Sequence, residues 1–192
     1  MGGAASNQQG RLARFASAKK LGCKCDDCPM SKASAFGPVL PRQVVRPARA
    51  ALAVQAEGPG ETEEIQTEFL CGPTGEALDR ALLKFGIPRR SLHLTNTLLC
   101  RSEEPVDFAL ATKCCWPRLE REHRKVGSQW ILALGAQALH SLVKVGGGIF
   151  KWCGGPLEST ALPGKKVLPT FHPAFCLRPD GKSYTAIMAI HI

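Results

Sequence analysis

Apolar residues gather in four short runs at wide intervals: Ala51 to Val54, Leu92 to Thr95, Trp130 to Leu134 and Val167 to Phe171. Each has the length and aliphatic content of a buried strand. Between them the spacing turns helical, over Thr74 to Phe85, Val106 to Val126 and Ala136 to Val145. Strands that alternate with helices imply a parallel sheet covered on both faces. The expected class is therefore α/β, a three-layer α/β/α sandwich around a central four-stranded parallel sheet. Upstream, residues 36–50 carry Pro38, Pro41 and Pro47 among arginines and cannot sustain a regular element. Residues 1–20 are polar and basic, with Arg11-Leu12-Ala13-Arg14-Phe15 able to start a short helix.

In an open parallel sheet, ligands bind beyond the carboxyl ends of the strands. The first run leads into Glu57-Gly58-Pro59-Gly60, followed by Glu61, Glu63 and Glu64; the second ends at Asn96, and the fourth at His172-Pro173. The third offers only Gly135, which reads as the start of its helix. Taken singly, these are an ordinary turn, a loop-capping amide and a satisfied histidine. Taken together, an acid, an amide and an imidazole would converge on one rim of one sheet.

Twenty-five Lys and Arg against sixteen Asp and Glu give a net charge of +9, a field that attracts polyanions, nucleic acid first among them. No phosphate-loop fingerprint follows any strand, which weighs against a nucleotide-binding protein. No apolar run reaches transmembrane length, so a membrane is not an expected partner. Nine cysteines without a secretory signal read as thiols and metal ligands rather than a disulfide framework. Cys25-Asp26-Asp27-Cys28 is a C-x2-C turn, and fourteen residues separate Cys100 from Cys115. Four thiolates from such turns suit an iron-sulfur cluster or a structural zinc. Cys23 and Cys114 adjoin the candidate ligands, whereas Cys71, Cys153 and Cys176 read as buried thiols.

The motifs in order resemble the family 4, iron-sulfur uracil-DNA glycosylases. Ala56-Glu57-Gly58-Pro59-Gly60 with Glu63 falls in register with that family's Gly-Glu-Ala-Pro-Gly motif and following Glu. Leu70-Cys71-Gly72-Pro73-Thr74-Gly75 lies over its Pro-Phe stretch, Thr95-Asn96 with Cys100-Arg101 over its Thr-Asn and Cys-Arg, Cys115-Trp116-Pro117-Arg118-Leu119-Glu120 over its Cys-x-Pro-x-Leu-Glu, and His172-Pro173-Ala174 over its His-Pro-Ser/Ala. The similarity runs from about residue 21 to 178. The sequence departs from the family at Ala56 and Thr67, where the family has glycines, and at Leu70, where it has a stacking phenylalanine; Phe69 is one position earlier.

The resemblance implies a base excision repair enzyme that hydrolyses the N-glycosidic bond of uracil in DNA and leaves an abasic site. Asn96 would read the uracil edge, His172 would donate to the departing ring, and Glu57 with Glu63 would position water or favour the cationic sugar. Gly58, Phe69 and Leu70 would complete the base pocket with Asn96. A [4Fe-4S] cluster, with structural zinc as the alternative, would sit on Cys25, Cys28, Cys100 and Cys115. After His172, the residues Phe175, Leu177 and Arg178 could supply an apolar wedge beside a phosphate-binding cation, or Phe175 and Leu177 could be core. The expected organisation is a flexible basic tail over 1–20 and a glycosylase-like domain over 21–192, a cytoplasmic monomer whose partner is uracil-containing DNA. Tyr184 to Ile192 reads as an element just beginning, the pattern of a truncated or fused module, as in phage polymerases that resemble this family at their start. A noncatalytic cluster-bearing DNA-binding module of the same fold is the alternative function. Ser102 to Lys113 lacks both the histidine and the basic insertion of the related subgroup that captures abasic DNA covalently.

Overall fold

The chain folds around a five-stranded sheet in a computed structural model that describes residues 3–40 and 46–190. The strands are β1 (Leu52–Ala56), β2 (Leu92–Asn96), β3 (Trp130–Leu134), β4 (Leu157–Glu158) and β5 (Lys166–Thr170), in the order β2-β1-β3-β5-β4. The four longer strands are parallel, and each coincides with one of the apolar runs to within two residues at either end. The two-residue β4 pairs antiparallel with β5. It corrects the expected strand count from four to five, and a two-residue pairing leaves no periodicity to read.

Eight helices accompany the sheet among the described residues: α1 (Gly3–Leu21), α2 (Met30–Ala33), α3 (Glu61–Gln66), α4 (Gly72–Leu83), α5 (Phe108–Lys125), α6 (Ala136–Leu142), α7 (Pro173–Cys176) and α8 (Tyr184–Ile190). Local chemistry sets several of their ends. Asp107 caps α5 by accepting from the Leu110 amide at 2.9 Å, and Pro73 lies in the first turn of α4. Strand alternation divides the sheet into two faces. Val54, Ala56, Leu92, Leu94, Leu132 and Leu134 pack with Leu78 and Leu82 of α4 and with Phe15 and Ala18 of α1. Ala53, Ile131, Ala133 and Val167 pack with Ala138, Leu139 and Leu142 of α6. Helices therefore cover both faces, the three-layer arrangement expected from the alternation.

Within the proline-rich stretch, the described residues hold only a short 3-10 turn, Pro47–Arg49, while Pro41 and the residues to 45 lie outside the described part. Most of the basic tail is instead helix α1. Its second half is anchored: Arg11 donates to the carbonyls of Ser34 and Ser31, Arg14 donates to that of Phe36, and the Phe15 and Ala18 side chains are buried. The helix runs through a polar sequence, so its apolar contacts are few and widely spaced, a weak periodic signal.

Phe15→Ala should cost about 3 kcal/mol, a melting temperature lower by roughly 2–4 °C per kcal/mol in a domain of this size. An unchanged melting temperature would mean that α1 is an appendage rather than part of the core.

Candidate active site and cysteine cluster

Parallel pairing of β1 with β2 places Ala56 opposite Asn96, so the two strands end side by side. The pairing continues past the sheet, with the Thr97 amide donating to Ala56 O at 2.8 Å and the Leu98 amide to Glu57 O at 2.9 Å. These two bonds fix the exits that carry Glu57 and Asn96. Beyond them opens a cavity of about 530 Å³, lined among others by Glu57, Gly58, Glu63, Arg101, His172 and Arg178. A concave site of this size at the carboxyl end of a parallel sheet suits a small organic ligand.

The two candidate carboxylates differ in kind. Glu63 is buried, and its two oxygens accept from the backbone amides of Gly60 and Leu70. Burial raises its pKa against the opposing pull of those amides and of Arg89. Its carboxylate therefore ties the Gly58-Pro59-Gly60 turn to the Leu70 turn. Glu57 reaches the solvent-open mouth of the cavity, and partial burial lifts its carboxyl above the ordinary value.

His172 caps α7: its Nδ1 accepts from the Ala174 amide at 3.2 Å. That bond assigns the proton of the neutral ring to Nε2. Burial, with Arg178 nearby, lowers the pKa to about 4, so at neutral pH the ring is an uncharged Nε2–H donor at the cavity wall. Gly135, the residue before α6, packs against it; a Cβ there would lie 3.3 Å from the His172 Cβ, at a φ of +87° that disfavours any other residue.

Asn96 is fully enclosed, and neither its Oδ1 nor its Nδ2 has a hydrogen-bond partner. Phe69 and Leu70 are enclosed as well. None of the three lines the open cavity. Thr67 and Leu70 take left-handed conformations, φ 53° and 49°, which cost a residue with a Cβ about 1 kcal/mol or more. Leu70 is held there from both sides, its amide by Glu63 and its carbonyl against Gly75, where a Cβ would meet the oxygen at 1.7 Å. Of the three wedge candidates, the Phe175 ring packs on Phe150, Phe171 and Tyr184 at 5.5–6.0 Å between centroids. Leu177 and Arg178 are exposed.

Sequence reasoning missed Arg118. This side chain of α5 is 2% exposed and donates to Asn96 O at 2.7 Å, Thr97 O at 3.1 Å and Thr95 Oγ1 at 2.9 Å, while pairing with Glu122 at 2.8 Å. Burial would raise the Glu122 carboxyl, yet His93, 2.9 Å away, and Arg118 hold it down at about 2. An arginine within the Cys-x-Pro-x-Leu motif on an amphipathic helix gives no sign in sequence that it points inward.

Cys25, Cys28, Cys100 and Cys115 are all buried and line one small cavity of about 10 Å³, together with Cys23 and Cys114. Burial pushes the Cys28 thiol up to about 12 and raises Cys100 further. Among the described residues, no three His, Cys, Asp or Glu side chains converge on a point that would hold a single metal ion. The donor set nevertheless fits a thiolate-bound centre, because six soft thiols from three segments face one space. Of the remaining thiols, Cys176 is buried, whereas Cys71 and Cys153 are only half-buried.

The sequence profile of the uracil DNA glycosylase superfamily matches residues 43–189, more than half of the chain and all five strands. The chain belongs to the uracil DNA glycosylase superfamily. A type-4 uracil-DNA glycosylase of Thermotoga maritima is 33% identical over 133 residues, 64% of this chain and 64% of the relative. One of Saccharolobus solfataricus is 28% identical over 138 residues, 63% of this chain and 59% of the relative. The aligned region thus spans less than two thirds of either relative. No helix among the described residues is long and apolar enough to cross a membrane.

By NMR, the His172 ring should titrate with a midpoint near pH 4, well below the ordinary 6.5. A midpoint at or above 6.5 would contradict the neutral-donor assignment.

Proposed function

We propose that this superfamily member hydrolyses the N-glycosidic bond of uracil in DNA. The observation that carries the proposal is the enclosed Asn96 amide with two unpartnered polar atoms at the sheet exit. An unsatisfied buried amide costs about 1–3 kcal/mol per lost partner, a cost that a polar ligand edge would remove. A carboxamide offers one acceptor and two donors, which match the N3–H and O4 of uracil. The exocyclic amine and unprotonated N3 of cytosine present the opposite order.

Base release breaks the C1′–N1 bond, and the electron pair leaves with the ring. The Nε2–H of neutral His172 would donate to O2 as charge builds there, and a donor already aimed at the developing charge has little left to reorganise. Glu57, at the open mouth, would orient the water that adds to C1′ or favour the cationic sugar. Glu63 would position these groups rather than act on substrate, since its oxygens already hold two backbone amides. Leu177, exposed beside Arg178, would be the wedge that enters the space left by the extruded base; Phe175 would be the fixed wall behind it. Because Asn96, Phe69 and Leu70 are enclosed, a base would reach the amide only after the residues that cover it move.

Cys25, Cys28, Cys100 and Cys115 would hold a [4Fe-4S] cluster. Bound there, it would supply structural cross-linking between the first cysteine turn, the β2 exit loop and α5, with no redox part in base release. The enclosure of the recognition residues favours a second reading, a DNA-binding module of the same fold that excises nothing.

Purified protein incubated with a uracil-containing oligonucleotide should leave alkali-labile abasic sites. Asn96→Ala and His172→Ala should each slow release by about 10² to 10³ with the fold intact, and Asn96→Asp should weaken uracil release at least as much. If the wild type binds DNA but leaves no abasic site, the binding-module reading replaces the glycosylase. If it excises uracil and neither alanine variant is slower, the residue assignment is wrong.

A further inference from the structure

Residues three and four apart share a helix face, and on α4 one such stripe reads Ala77, Arg80, Ala81 and Lys84. The alanines are buried and the two cations exposed. Opposite them stand Leu177 at the end of α7, Lys182 in the turn before α8, and Met188 within α8, which together with the stripe line a groove of about 410 Å³. That turn is pinned to α7, because a Cβ on Gly181 would meet the Phe175 carbonyl oxygen at 1.8 Å. No Asp or Glu lines the groove, whereas Glu57, Glu63 and Glu104 line the substrate cavity. Arg80 meets Glu76 at 3.7 Å with both side chains exposed, a pair worth little, and among the described residues Lys84 and Lys182 have no ion-pair partner. The groove and the substrate cavity are divided by a single short segment: Ala174, Phe175 and Arg178 line the cavity, and Leu177, between them in sequence, lines the groove.

Resting on the DNA-binding part of the reading above, we infer that this groove takes the DNA backbone on one side of the extruded nucleotide, with Arg80, Lys84 and Lys182 against its phosphates. A strand that gives its base to the cavity and is entered by Leu177 has to cross α7. The sugar-phosphates that follow on one flank then fall on the far side of that helix, where the groove lies. Three cations without a competing carboxylate suit phosphate charge. The floor of Ala77, Ala81 and Met188 offers no side-chain donor or acceptor for a base edge, so the contact would hold the strand in register without reading its sequence.

The test is the salt dependence of binding, followed by fluorescence anisotropy, to a duplex that carries a tetrahydrofuran abasic analogue and so has no base to release. Arg80→Gln, Lys84→Gln and Lys182→Gln, all at exposed positions and checked for folding by circular dichroism, should each lower the slope of log Kd against log salt by about 1, and the triple variant by about three times as much. On duplexes cut back to the abasic analogue, the difference from wild type should vanish when one flank is removed and persist when the other is. Wild-type binding with variant slopes unchanged overturns the inference and gives the groove to a partner other than DNA. Slopes lowered equally on both shortened duplexes overturn it as well, since the cations would then act through the general field of the protein and not on one flank. Wild-type protein that binds no duplex overturns the DNA reading and the inference together.

Discussion

One guanidinium, 2% exposed and surrounded by acceptors, ties the cysteine-bearing helix α5 to the exit of β2. Arg118 lies three residues after Cys115 and grips the backbone carbonyls of Asn96 and Thr97, the Thr95 hydroxyl and Glu122. A charge this deep is costly unless it is paired, and stripping one partner from such a pair typically costs about 3–5 kcal/mol. The network continues outward: Glu122 pairs with His93, and Gln55 bridges His123, Thr97 and Ser141. On this polar face, the β2 exit is held through its backbone. On the other face, the Asn96 side chain is left without a protein partner, as a group reserved for a ligand would be.

The same division of labour recurs across the rim. Glu63 spends its charge on two amides and thereby fixes both the turn after β1 and the strained turn at Leu70. His172 spends Nδ1 on the Ala174 amide and keeps Nε2–H for the cavity. Both Glu63 and His172 are thus held in place by backbone amides, an arrangement that restricts how each side chain faces the cavity.

Legibility in the sequence depends on which interactions leave a signal there. The strands were legible because burial on both faces leaves uninterrupted apolar runs; Trp130–Leu134 matches at both ends, and β5 begins one residue before the expected Val167. Strand-exit position pointed to Glu57, Asn96 and His172; Glu57 and His172 line the cavity, whereas Asn96 is enclosed. The bond partners of Glu63 are backbone amides, present at nearly every residue, so its hold on two turns left no mark in the sequence. Arg118 reads as one more cation on a charged helix, and α1 hides its few buried residues in a polar stretch. Phe175 could be read as wedge or core, because its three aromatic neighbours are scattered along the chain and only the fold brings them to it.

The central claim is that the unpartnered amide of Asn96 is the group that reads the base, and the side-chain NH₂ signals of Asn96 report on it directly. Titrated with free uracil and followed by ¹H–¹⁵N NMR, these signals, assigned by their absence in Asn96→Ala, should shift to a saturable limit as the amide gains its first partners. Uracil that saturates the protein while the Asn96 signals stay in place would contradict the account.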